Sequence, residues 1–198
     1  LPLNQAEGTV LPFGYGRSYG DSCLNNGNTL LDASTMRRFI AFDAEQGLLR
    51  CEAGVMFAEI LDIIVPKGWF LPVSPGTKFV SVGGAIANDV HGKNHHSMGT
   101  FGRHVTQFEL LRSDGKFLCS PTENSDLYCA TIGGLGLTGL ILWAEFQLAK
   151  IDGPYIDQEI IRFGSLEEFF EIAEESEEHF KYTVAWIDCQ ASGKQLGR

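Results

Sequence analysis

Gly134-Leu135-Gly136-Leu137-Thr138-Gly139 spells G-x-G-x-x-G, the string of a dinucleotide-binding turn. That fingerprint needs a strand before it and a helix after it. Here the order is reversed. Ser125–Thr131 reads as a helix, and Leu140–Leu148 is a long apolar strand. A Rossmann unit is therefore excluded, although the glycines from Gly133 to Gly139 still suit close approach of backbone to a ligand. Upstream, Thr9–Phe13, Thr29–Leu31, Phe39–Phe42 and Leu48–Glu52 read as short strands between turn residues. Phe57, Ile60, Leu61 and Ile64 recur at one helical face, and Pro66 with Gly68 stops that helix. Val80–Asn88 is small and apolar and suits a short helix. Gln107–Arg112 and Lys116–Cys119, joined at Ser113-Asp114-Gly115, read as a hairpin. Downstream, Tyr155–Phe163 and Thr183–Asp188 predict further strands. Between them Ser165 and Glu168 form a capping box, opening a helix with Leu166, Phe169, Phe170 and Ala173 on its apolar face. Strands and helices mix without strict βαβ alternation, so the class is α+β. Pro154 is the one plausible punctuation between a ligand-binding first part and a plainer second part.

Composition bounds the function classes. The 198 residues are 44% hydrophobic and 20% charged, which suits a folded chain. The formal charge is −10, yet seven of the 25 acids fall between Ser165 and His179. The acidity is mostly one solvated helix face, and no basic stripe for nucleic acid is visible. No apolar run approaches the roughly 20 residues of a membrane span. The first residue is Leu1 and no signal-peptide pattern follows, so the chain reads as a fragment or processed piece. Five cysteines at irregular spacing favour reduced thiols over a disulfide framework or zinc site. Of 23 glycines, 19 precede residue 140, and four of the five histidines lie between His91 and His104. The loops of the first two thirds therefore do more than connect.

Three further segments could carry chemistry. Gly14-Tyr15-Gly16-Arg17-Ser18-Tyr19-Gly20-Asp21 follows a strand directly. Its glycines let backbone N–H groups converge on an anion, and Arg17 offers a charge-assisted bond to phosphate. It is neither a Walker A loop nor a dinucleotide fingerprint, and an ordinary tight turn is the competing reading. Pro75-Gly76-Thr77, followed by Ser81 to Asp89 with its Gly83-Gly84 pair, would let an extended ligand lie on backbone. A glycine-packed helix start explains it as well. His91-Gly92-Lys93-Asn94-His95-His96 invites a metal, but Gly92 and Asn94 spoil a helix and the imidazoles need not converge. A loop presenting imidazole and ammonium groups to an anionic or redox ligand fits better, with no metal expected. A G-x-S-x-G elbow, a carboxylate pair and a cysteine beside a helper histidine are all missing from the sequence.

Taken in order, Val10–Asp21, Pro75–Thr77, Val82–His91, His91–His96 and Thr131–Gly139 resemble the FAD-binding domain of the vanillyl-alcohol oxidase/p-cresol methylhydroxylase (PCMH-type) superfamily. Within it they resemble the decaprenylphosphoryl-β-D-ribose 2′-oxidase branch. The likeness is strong from Thr9 to Leu148 and weaker through Tyr182–Asp188 to Leu196-Gly197-Arg198. It implies a PCMH-type fold of two α+β subdomains, truncated at both ends, with residues 1–150 binding FAD and 151–198 beginning a substrate domain. It implies that Pro12, Phe13, Gly14, Tyr15, Gly16 and Arg17, then Ser18, Tyr19, Gly20, Asp21 and Ser22, wrap the pyrophosphate. Gly76, Thr77, Ser81, Val82, Gly83 and Gly84, with Asn88, Asp89, Val90 and His91, would line the flavin and ribityl chain, and Ile141 would touch the adenine or flavin side. His91 aligns with the covalent flavin position of some members, but the sugar oxidases imply non-covalent FAD. His91 and Lys93 would act on the substrate. That substrate is implied to be a sugar or lipid-linked sugar, oxidised at a secondary hydroxyl by hydride transfer to flavin N5. Lys93 would stabilise an alkoxide or the reduced flavin. An aldonolactone or alditol oxidase, or a non-catalytic FAD module, is the alternative. Val184 stands near a position where relatives carry serine in the pocket, which leaves a different substrate open. The electron acceptor is not given by the sequence, and a reductase is one candidate partner. The implied location is cytoplasmic, at a membrane surface if the substrate is lipid-linked.

Overall fold

The structure, a computed structural model, describes residues 8–191 and 193–197; Leu1 and Arg198 lie outside the described residues. β1 (Val10–Phe13) and β2 (Thr29–Asp32) form a two-stranded parallel sheet in the register Val10↔Thr29 to Phe13↔Asp32. β3 (Phe39–Asp43), β4 (Leu48–Glu52), β6 (Val105–Arg112), β7 (Gly115–Cys119) and β8 (Leu140–Gln147) form a five-stranded antiparallel sheet in the order β3-β4-β8-β6-β7. β5 (Trp69–Phe70) and β9 (Ala149–Lys150) make a third, minimal pair. The class is α+β, as the lack of βαβ alternation predicts.

The inner face of the large sheet is apolar because the strands alternate. Leu49 and Cys51 of β4, Phe108 and Leu110 of β6, and Ala144 and Phe146 of β8 are fully buried. Against them pack Phe57, Ile60 and Ile64 of α1 (Phe57–Ile64) and Val82, Ala85 and Ile86 of α2 (Val82–Ala87); the single turn α3 (His95–Met98) follows. Gly68, at φ 79°, ends the short turn after α1, as the Pro66–Gly68 stop predicts. On the outer face Glu145 is buried under donors. Arg50 Nη2 lies at 2.6 Å, Thr106 Oγ1 at 2.8 Å and Gln107 Nε2 at 2.9 Å. Burial alone would raise its carboxyl, but these donors outweigh burial and hold it below the ordinary carboxylate range. All five cysteines are unpaired, with Cys51 and Cys119 in the core.

The segment around the glycine string is ordered as the sequence indicates, with α4 (Ser125–Thr131) before it and β8 after it. Gly133 N–H donates to Ile86 O and Leu135 N–H to Ala87 O, so the loop is laced to the end of α2.

Two predicted strands are corrected. Residues 155–163 and 183–188 contain no regular strand; their only ladder contacts among the described residues are isolated bridges of Phe163 and Ile187 to Gly197. The side chains have strand composition, but a ladder needs a neighbour, and no regular strand lies beside them among the described residues. Between them α5 (Leu166–His179) starts at Ser165, whose Oγ accepts from Glu168 N–H at 3.1 Å. The return arm of the capping box goes one residue further back, with Gly164 N–H donating to Glu168 Oε2 at 2.7 Å. Phe169 packs on Phe163 with ring centroids 5.2 Å apart, whereas Leu166 and Phe170 are exposed.

Candidate functional site

β1 delivers the chain into the loop that begins at Gly14. Gly16 and Gly20 adopt φ near 60°, the left-handed region that glycine enters freely. Tyr15 pins this loop. Its hydroxyl donates to Gly54 O at 3.0 Å and Ser34 O at 3.3 Å, so the loop is tied to the turns after β4 and β2. Burial pushes the Tyr15 phenol above its ordinary value, opposed by the nearby Arg37 guanidinium. Arg17 lies exposed on the loop and forms no ion pair among the described residues.

α2 supplies the second wall. Ser81 caps it, accepting from Gly84 N–H at 3.1 Å. Gly83 N–H donates to Ala53 O at 2.8 Å, and a Cβ on Gly83 would stand 2.9 Å from Ala53 Cβ. Gly83 is therefore required for packing, as the glycine-packed helix start expects, and both glycines border the cavity.

The third wall is the His91 loop. His91 bridges to Thr100, Gly92 fits tightly against Ser74 O, and buried Asn94 donates from Nδ2 to Pro72 O at 2.8 Å. This anchoring leaves the side chains of His91, Lys93 and His95 on the cavity side. The imidazoles do not converge: ring centroids are 5.8 Å apart for His91–His95 and 6.1 Å for His95–His96. Among the described residues no three His, Cys, Asp or Glu side chains are grouped to hold a metal ion.

These walls enclose a cavity of about 990 Å³, at the upper end of the range for small-molecule and cofactor sites. Of the residues that the sequence points to, Pro12 through Tyr19, Ser22, Gly76, Thr77, Ser81, Gly83, Gly84, Asn88, Val90, His91, Lys93 and Ile141 line it. Four candidates stand elsewhere. Gly20 and Asp21 continue the loop beyond the wall, where Asp21 O accepts from Leu24 N–H. Val82 is fully buried in the core. Asp89 turns its carboxylate onto Gly102 N–H at 2.9 Å.

Sequence reasoning missed part of the wall. Thr131, Leu135, Gly136, Gly139 and Leu140 belong to the glycine string or its flanks, whose suitability for a ligand was legible although its residues were not named as a site. Thr183, Val184 and Ala185 carry no local signal. They reach the cavity because Thr183 N–H donates to Lys93 O at 2.9 Å. Val184, named only as a departure from relatives, is thereby on the wall.

The charge of the wall is the decisive feature. In a chain of net charge −10, no aspartate or glutamate among the described residues lines the cavity, while Arg17 and Lys93 do, with His91 and His95. A low-dielectric cleft of one sign concentrates ligands of the other. Together with the glycines at Gly14, Gly16, Gly83 and Gly84, which keep the wall free of side chains, the residues present fit a long dianionic ligand such as FAD.

A model of the FAD binding domain family matches residues 3–120. The chain belongs to this family. Among curated relatives, the decaprenylphosphoryl-beta-D-ribose oxidase of Mycolicibacterium smegmatis is 40% identical over 192 residues, covering 96% of this chain and 42% of the relative. The Delta(24)-sterol reductase of Homo sapiens is 33% identical over 107 residues, covering 54% of this chain and 21% of the relative. The chain thus spans less than half the length of these relatives. A solved alkyldihydroxyacetonephosphate synthase superposes with a TM-score of 0.62 at 18% identity, covering 71% of this chain and 27% of that one. The fold is the PCMH-type FAD-binding fold, as the ordered motifs indicate.

Proposed function

We propose that this chain is the FAD-binding part of an oxidoreductase that oxidises a secondary hydroxyl of a sugar, the sugar being carried on a polyprenyl phosphate, with FAD held non-covalently. The observation that carries the reading is the cavity, free of acids among the described residues, with Arg17 on one wall and Lys93 with His91 on another. The 40% identity to a decaprenylphosphoryl-ribose oxidase supports the substrate class.

FAD, when bound, supplies a two-electron acceptor for the hydride leaving the hydroxyl-bearing carbon. The chain's residues do the rest. Arg17 and the backbone from Gly14 to Gly16 hold the pyrophosphate, and Gly83 and Gly84 let the ligand lie on α2. Val90 and His91 border the reacting end. As a base takes the hydroxyl proton, the Lys93 ammonium stabilises the developing alkoxide, lowering the cost of that charge. Thr183–Ala185 border the substrate on the far side of Lys93.

Residues 1–150 form the FAD-binding unit in this reading, and residues 151–198 begin a substrate-binding unit. Tyr155, Ile156, Ile160 and Trp186, all strongly exposed apolar residues, fall in the second stretch. A separate electron acceptor, a small molecule or a reductase partner, completes the turnover. No helix among the described residues is long and apolar enough to cross a membrane. A lipid-linked substrate would be met at a bilayer surface, on its cytoplasmic side.

The reading is tested by adding a polyprenyl-phosphoryl pentose to the FAD-loaded protein without oxygen, then precipitating it with acid. The expected result is bleaching of the visible flavin band, with flavin released into the supernatant. Bleaching by an aldonolactone but not by the lipid-linked sugar would replace the substrate class. Flavin remaining in the pellet would contradict non-covalent binding.

A further inference from the structure

Asp89 occupies a backbone position that ordinarily belongs to glycine. α2 ends in paired bonds, Val90 N–H to Ala85 O and Asp89 N–H to Ile86 O, both at 3.0 Å. This pattern places the residue after the cap in the left-handed region, where glycine is usual. Asp89 sits there at φ 41°. An aspartate in this conformation carries a backbone cost that glycine would not. Its carboxylate offsets that cost by accepting from Gly102 N–H at 2.9 Å. Gly102 is itself buried, and a Cβ there would meet Ile132 Cγ2 and stand 2.7 Å from Asp89 Oδ1. The next two residues continue the pairing. Val90 O accepts from Phe101 N–H at 2.8 Å, and His91 bridges to Thr100. Asp89, Val90 and His91 are thus zipped in succession to Gly102, Phe101 and Thr100, and the carboxylate closes the end next to α2.

We infer that Asp89 is a positioning residue whose carboxylate sets where His91 stands on the cavity wall. The inference rests on the reading above, in which the His91 side of the cavity is where FAD and substrate meet. It assigns Asp89 a role through His91 and not through contact with FAD.

Two substitutions separate positioning from stability in the full 198-residue chain. Asp89→Gly removes the backbone cost and also the carboxylate. Asp89→Asn tolerates the left-handed conformation and keeps an oxygen acceptor. The measurements are the thermal midpoint, amide exchange at Gly102, the His91 imidazole resonance by NMR, and FAD affinity. For D89G the expected results are a nearly unchanged midpoint, about ten-fold faster exchange at Gly102, a displaced His91 resonance and about ten-fold weaker FAD binding. D89N is expected to restore all of these towards the parent chain. An unmoved His91 resonance with unchanged Gly102 exchange in D89G would overturn the inference. If D89G does not fold, unprotected exchange of the Gly102 amide in the parent chain would overturn it. Failure of the parent chain to bind FAD would instead count against the functional reading, while the exchange and NMR results would still decide the role of Asp89.

Discussion

Arg17→Glu is expected to leave the fold intact and to weaken FAD binding about a hundred-fold or more. Arg17 is solvent-exposed and has no ion-pair partner among the described residues, so no internal ion pair is lost with it. It lines a cavity whose described walls hold no carboxylate side chain. A hydrogen bond to a charged group is worth about 1.5–3 kcal/mol, and each 1.4 kcal/mol is roughly ten-fold in affinity. On the proposed placement of the pyrophosphate at this loop, the reversed charge adds repulsion between two anions. Because the site is open to solvent, raising the salt concentration should narrow the gap between variant and parent. Fluorescence titration with FAD at two ionic strengths, beside thermal melts without FAD, checks both parts. Equal affinities for the two chains would remove Arg17 from the site.

Gly54→Ala is expected to destabilise the chain by about 3 kcal/mol, lowering the thermal midpoint by roughly 10 °C. Gly54 is buried where the small β1–β2 sheet closes on the large one. A Cβ there would overlap Ala33 O and stand 2.6 Å from Met36 O. Both obstacles are backbone carbonyls, so no side-chain rotation makes room. Gly54 O also accepts the Tyr15 hydroxyl, and pushing the turn outward breaks the tie that holds the Gly14 loop against the cavity. The variant should therefore lose FAD affinity as well as stability. Thermal melts followed by circular dichroism check this; a midpoint within a degree or two of the parent would show that the junction yields.

The fold was legible where local signals were strong. Leu48–Glu52 as a strand between turn residues, the i, i+3, i+4, i+7 face of α1 and the bounds of α4 all follow from local sequence. The order of helix, glycine string and strand excluded a Rossmann unit for the right reason. The downstream strands failed because Tyr155–Phe163 and Thr183–Asp188 have strand composition but lack a partner strand among the described residues, and pairing is not a local property. Much the same limit governs the site. Backbone-exposing motifs announced the loops that converge on the cavity. Thr183–Ala185 arrive only through a bond to Lys93 O, which no spacing encodes. Asp89 was legible as part of a motif but not as what it is. Its left-handed backbone and its bond to Gly102 depend on two segments meeting in three dimensions.

The central claim is that the cavity walled by the Gly14 loop, α2 and the His91 loop is an FAD site. Its most direct test is titration of the parent chain with FAD, followed by desalting and a visible spectrum. The account predicts saturable binding of one FAD per chain, with the flavin bands retained. A colourless protein that leaves FAD fluorescence unchanged throughout the titration would contradict it.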